Sequence, residues 1–127
     1  MRALAAALMF AGFVAFLEVP SVDVYAAEKV VESGTVVRGT VTAYTSDPAE
    51  TDSTPTVTAS GTMTRPGVAA NNCLPFGTRI TVAGKSYVVE DRMNAKYGCE
   101  RYDLWTAEKA DAREWGVRRL AVSIYHE

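Results

Sequence analysis

Histidine is almost missing from this 127-residue chain: His126, the penultimate residue, is the only one. A Ser-His or Cys-His nucleophilic pair therefore has no base in the body of the sequence, and no nucleophilic Ser motif is present. Cysteine is nearly as scarce. Two residues, Cys73 and Cys99, are too few for a small disulfide scaffold and too few for a structural zinc site. An excess of positive charge is missing as well, since 13 Lys+Arg face 15 Asp+Glu, for a formal charge of -2. That balance excludes a nucleic-acid partner, which requires a basic face to displace counterions from phosphate. No glycine loop has the phosphate-cradling spacing, and Asp47, Glu50 and Asp52 do not have the spacing of an EF-hand. The residues imply neither a metal nor a cofactor. There are no internal repeats, and 22% charged residues is ordinary for a globular chain of one domain's length.

Apolar residues are plentiful but unevenly placed. Arg2 precedes an apolar run, Ala3–Leu17, followed by Glu18 and Pro20. As a helix, 15 residues would span roughly 22 Å, short of the hydrocarbon core. Val24-Tyr25-Ala26 then places small residues three and one before a cut. Residues 1–26 read as a signal peptide, with an uncleaved membrane anchor as the alternative. Residues 27–34 read as a linker, and residues 35–127 as one secreted or cell-envelope domain with no membrane contact after cleavage. In that compartment Cys73 and Cys99 are expected to close a bridge, unpaired thiols being the alternative.

Within the domain, Thr35–Tyr44 alternates, with Val37, Gly39, Val41 and Ala43 on one face, and reads as a strand. Thr56–Ala59 is a short β-prone run. Thr78–Val82 and Ser86–Glu90 read as strands joined by a three-residue hairpin, Ala83-Gly84-Lys85. Leu120–Tyr125 alternates again. Thr106–Trp115 is the one plausible helix, with Thr106 as its cap, Gly116 as its stop, and Ala107, Ala110 and Trp115 as its buried side. Short strands, one helix and no βαβ rhythm indicate a small mainly-β barrel, closed or partly closed.

Carboxylates are the remaining candidates for chemistry. Asp91, in Val88-Val89-Glu90-Asp91-Arg92, and Asp103, in Arg101-Tyr102-Asp103-Leu104-Trp105, follow or interrupt apolar stretches and are expected at strand ends. Apolar neighbours would desolvate Asp103, as a general acid requires. A purely structural Asp103, paired with Arg92 or Arg101, is the competing reading. Tyr44, Tyr97, Tyr102 and Trp105 are candidates for stacking on sugar rings or for core packing, and only one of Leu104 and Trp105 should point inward.

Four stretches occur in order: Thr42-Ala43-Tyr44-Thr45; Thr58-Ala59-Ser60-Gly61 with Arg65-Pro66-Gly67; Val68–Asn72 followed by Leu74-Pro75-Phe76-Gly77-Thr78; and Val89-Glu90-Asp91-Arg92 with Tyr102-Asp103-Leu104-Trp105. Together they resemble the 3D (Asp-Asp-Asp) domain of the double-psi β-barrel superfamily. That domain is similar to the catalytic barrel of membrane-bound lytic transglycosylases of type A and to the stationary-phase survival proteins. Rare lipoprotein A shares several of the same pieces. The resemblance covers about Val41–Tyr125. It implies a six-stranded double-psi β-barrel with one short helix before the last strand.

The resemblance also implies roles. Asp103 matches the catalytic acid/base, and Asp91, twelve residues earlier, the second aspartate of the cleft. The first family aspartate falls near Asn71, where this chain has Asn71-Asn72 and one residue fewer before Leu74-Pro75. An amide can hydrogen-bond a sugar hydroxyl but cannot carry a proton. The family's Asp-Thr-Gly-Gly is also replaced, by Asp91-Arg92-Met93-Asn94. Asn71, Asn72, Tyr44, Arg92 and Trp105 are the implied substrate-binding residues. The implied partner is the peptidoglycan glycan strand, acted on by a monomer. The implied reaction is cleavage between MurNAc and GlcNAc by the muramyl C6 hydroxyl, giving 1,6-anhydro products. A non-catalytic glycan-binding barrel is the alternative.

Overall fold

The computed structural model describes residues 34–49 and 54–126. The chain divides into two units, Met1–Val31 and Glu32–Glu127, and all the described residues belong to the second. The expected signal peptide and nearly all of the expected linker lie outside the described residues.

The Val- and Thr-rich stretch forms β1 (Gly34–Tyr44), in which β-branched side chains alternate between the interior and the outer face. It is followed by β2 (Val68–Ala70), β3 (Arg79–Val82), β4 (Lys85–Asp91) and β5 (Arg101–Trp105), then the helix α1 (Lys109–Trp115), and finally β6 (Arg118–Tyr125). The strands close in the order β1-β5-β2-β4-β3-β6. Two pairings are parallel, β1 with β5 and β2 with β4, and the other four are antiparallel. The fold is thus mainly β: a closed, mixed, six-stranded barrel with one short helix before its last strand. Val41, Ala69, Ile80, Val82, Val89, Tyr102, Leu104, Val122 and Ile124 fill its interior.

Several local expectations change. The hairpin between β3 and β4 has two loop residues, not three, because Val82 pairs directly with Lys85. Ala83 (φ 51°) and Gly84 (φ 80°) both take the left-handed conformation that matches the strand twist. Thr56–Ala59 forms only an isolated bridge, Val57 to Met63. The helix starts three residues later than expected, at Lys109, so Thr106 is not its cap; Glu108 occupies that position without a side-chain cap bond. Ala107 and Ala110 are exposed, and the helix rests on half-buried Ala112 and Trp115 instead. Trp115 Nε1 donates to the Val41 carbonyl at 3.1 Å, and Lys109 Nζ pairs with Asp47 Oδ2 at 2.8 Å, so the helix is tied to β1 and to the turn after it. The residue pattern marks four of the six strands, and β2 and β5 complete the barrel. Asp103 sits in the middle of β5 and not at a strand end, while Asp91 is the last residue of β4. Among the described residues no helix is long and apolar enough to cross a membrane.

Candidate functional site

Barrel closure creates the site through register. On β1 and β5 the inward residues are Val41, Tyr102 and Leu104, which leaves Thr42, Tyr44, Asp103 and Trp105 on the outer face. Thr42 pairs with Asp103, Asp103 with Ala70, and Ala70 with Asp91, across a shift in register at Ala69/Ala70. Thr42, Asp103, Ala70 and Asp91 therefore form one row across β1, β5, β2 and β4. With strands about 4.8 Å apart, the two aspartates stand roughly 10 Å apart at their backbones. Only the methyl of Ala70 lies between them. A cleft of about 540 Å³ opens over this row, lined by Tyr44, Ala70, Asp91, Asp103, the stretch Arg92–Asn94, and Thr54, Pro55, Val57 and Ala59 opposite.

Both carboxylates are held. Thr42 Oγ1 donates to Asp103 Oδ1 at 2.9 Å. Asp91 accepts three bonds: the Tyr44 hydroxyl at 2.7 Å on Oδ2, and the backbone N–H groups of Ala59 and Arg92, each at 2.9 Å, on Oδ1. The bond from Ala59 joins the Thr58-Ala59-Ser60-Gly61 turn to the end of β4. The turn is also tied there by Ser60 N–H donating to the Glu90 carbonyl at 3.1 Å. Thr58 is buried and shares hydroxyl bonds with Ser60 (3.0 Å) and Thr62 (2.7 Å), so the turn is internally braced. Burial, the hydrogen bond to Asp91, and the charges of Asp91, Asp103 and Glu90 push the Tyr44 phenol far above its ordinary range. At neutral pH it stays protonated and donates to Asp91.

The asparagines behave differently from expectation. Asn71 is fully buried. Its Nδ2 donates to the carbonyls of Cys99 (3.0 Å) and Arg101 (2.9 Å), and its Oδ1 accepts from the N–H groups of Cys73 and Leu74 (both 2.9 Å). All four hydrogen-bonding positions of the amide are used. Asn71 is a brace, and nothing of its side chain is left for a sugar hydroxyl. Asn72 is similar: it accepts from Met93 N–H at 2.7 Å and donates to the carbonyls of Asn94 and Tyr97 at 3.0 and 3.1 Å. The Asn72 amide holds the 93–97 segment, which supplies Met93 and Asn94 to the cleft wall, and neither asparagine lines the cleft itself.

Arg92 does line the cleft, with its guanidinium donating to the Asn71 carbonyl at 2.8 Å and lying 3.8 Å over the Phe76 ring. Arg101 stacks on Tyr97 at 4.3 Å. Trp105 is not in this cleft; its Nε1 bonds Ser46 Oγ at 2.9 Å, and its ring lines a second one. Of that pair of neighbours, Leu104 is the inward residue. Cys73 and Cys99 form a disulfide with Cα atoms 5.3 Å apart, closing the loops on either side of Asn71.

Thr42, Ala70, Met93 and Asn94 escaped the sequence reading. Thr42 carried a usable signal, because strand alternation puts it on the face of Tyr44; Ala70 depends on pairings between distant strands, and Met93 and Asn94, in the loop after β4, on their bonds to Asn72. Among the described residues no three His, Cys, Asp or Glu side chains are grouped to hold a metal ion. No protein-family model matches the chain, and no curated protein is significantly similar to it.

Proposed function

We propose that this chain is a secreted peptidoglycan lytic transglycosylase with Asp103 as its acid/base, built on a barrel of the double-psi, 3D-domain type. The observation that carries the reading is the shared cleft: Asp103 and Asp91 stand in one lateral row with the small Ala70 between them. The mixed closed barrel is compatible with the double-psi fold, and the disulfide is consistent with a compartment outside the cytoplasm.

An ordinary glycosidase divides the work between two carboxylates. Here Asp91 is committed to three donors, so Asp103 carries the proton transfers alone. Protonated Asp103 gives its proton to the glycosidic oxygen as the C1–O bond breaks. The muramyl C6 hydroxyl closes on C1 and gives its proton to the Asp103 carboxylate, which restores the acid. No water is consumed. Acid/base help of this kind contributes roughly 10²–10⁴-fold. Thr42 orients the carboxyl, while Asp91 and Tyr44 shape the opposite side of the cleft.

The test is digestion of purified peptidoglycan by residues 27–127, with products read by mass spectrometry. Anhydromuropeptides that disappear in Asp103→Asn support the reading. Reducing-end products carrying oxygen from labelled water would mean hydrolysis instead.

A second reading, a glycan-binding barrel without catalysis, is favoured by the buried brace at Asn71, the position where the resemblance calls for an acid. Sedimentation with peptidoglycan and no fragment release by the wild type would select it.

A further inference from the structure

A second cleft, of about 490 Å³, opens where β1 and β5 end and β2 and β4 begin. It is the mouth of the barrel at that end, since β2 runs antiparallel to β5 and parallel to β4. Its walls are aromatic: Trp105 from β5, Trp115 from α1 and Tyr87 from β4, with Leu104 among its lining. Both indole N–H groups are spent inside the protein, on Ser46 Oγ and the Val41 carbonyl, and the Arg118 guanidinium lies 4.1 Å over the Trp115 ring, so what the two rings have left to present is carbon surface. Two opposite charges also line the cleft, Lys85 at the start of β4 and Asp111 on α1, and both residues are exposed.

The pair suits a short peptide bearing a carboxylate and an ammonium, because the charges would fix its direction while its aliphatic parts pack on the rings. The two clefts are also adjacent along one strand. Asp103 lines the first, and the next two residues, Leu104 and Trp105, line the second. At about 3.3 Å per residue, the step from one to the other is shorter than a sugar ring and its substituent.

We infer that the barrel mouth is a binding site for a short peptide carrying both charges, placed to take the peptide branch of a glycan strand lying over Asp103. The branch geometry rests on the glycan reading above; the peptide site stands without it. In this arrangement Lys85 meets a carboxylate of the peptide and Asp111 meets its side-chain amine. Substrate choice at the first cleft would then depend on whether the strand bears a peptide at the right sugar.

The test uses residues 27–127 and free peptide, so its outcome does not depend on any cleavage. N-acetyl-L-alanyl-γ-D-glutamyl-L-lysyl-D-alanine is titrated while the two indole N–H resonances are followed by NMR. Saturable shifts of Trp105 and Trp115 are expected, with little change at Ala59 and Asn94 of the first cleft. Lys85→Glu should weaken binding at least about tenfold, as loss of an attraction and gain of a repulsion predict, with an unchanged melting temperature. Asp111→Lys should weaken binding likewise, with a small loss of stability because an acid in the first turn of α1 is replaced by a base. Equal binding of an uncharged tetra-alanine amide would overturn the proposal, as would absence of indole shifts at millimolar peptide. Shifts of the same indoles by chitotetraose would make the mouth a sugar site and overturn it too. Failure of peptidoglycan digestion with peptide binding intact would remove only the glycan reading.

Discussion

The Tyr44 hydroxyl donates a 2.7 Å hydrogen bond to Asp91 Oδ2 from three strands away, reaching over the position of Ala70. The bond couples the end of β1 to the end of β4 and holds Asp91 opposite Asp103. Tyr44→Phe keeps the ring and removes only the donor. Loss of a hydrogen bond to a carboxylate at a half-buried site should lower stability by about 1–2 kcal/mol, read as a shift of the urea midpoint. An unchanged midpoint would mean that the bond contributes nothing net.

The same bond predicts alkaline behaviour. Burial is the leading cause of a raised value for Tyr44, Tyr87 and Tyr102 alike. Each folded value lies above that of the unfolded chain, so the contribution is complete below pH about 10 and is lost as pH rises toward the folded values. These three phenols should ionise late and together, as an absorbance step at 295 nm that coincides with loss of the far-ultraviolet β signal. Tyr44→Phe should shrink that step. Early, independent ionisation of all the tyrosines would contradict the burial.

Much of the barrel was legible because it is local. Strands β1, β3 and β6 alternate along the chain, and Gly84 marks the hairpin that leads into β4. Strand β2 was not legible, since its three residues are all buried and show no alternation. Strand β5 owes its place to a parallel partner about sixty residues away, a pairing that local periodicity does not report. The aspartates stood out by their apolar flanks, but their common row exists only through the pairings β1·β5, β5·β2 and β2·β4. Asn71 misled for a related reason. A resemblance puts an acid there, whereas the carbonyls of Cys99 and Arg101 demand a donor.

That demand gives a sharp substitution. Asn71→Asp restores the acid implied by the resemblance but replaces the donating Nδ2 with an acceptor facing two carbonyls, in a fully buried position. The expected loss is about 3–5 kcal/mol at neutral pH, partly recovered near pH 4 where the carboxyl protonates. Chemical denaturation at the two pH values measures it. A gain in lytic activity with full stability would show that the site wants a third acid after all.

The Cys73–Cys99 bridge closes a separation of 26 residues, which the chain-entropy model values at about 3 kcal/mol. Both cysteines are exposed residues, within reach of a soluble reductant. Dithiothreitol, or Cys73→Ser combined with Cys99→Ser, should lower the melting temperature by more than about 10 °C for a domain of this size. The bridge flanks Asn71, so loosening it should also broaden the amide signals of Met93 and Asn94 in the cleft wall.

Ala70 separates a steric effect on the cleft from a chemical one. Its methyl is the floor between Asp103 and Asp91, and the residue is only 2% exposed. Ala70→Leu adds three carbons there and touches neither acid's covalent structure. It should abolish glycan binding, at about 1–3 kcal/mol of stability from overpacking. Ala70→Ser, close in size, should leave binding intact and so report on folding at this position. Asp103→Asn is expected to do the reverse, retaining binding while fragment release stops. Co-sedimentation with peptidoglycan and product analysis separate the two effects. If Ala70→Leu binds and releases fragments like the wild type, the glycan does not lie in this cleft, and Asp103 cannot be its acid.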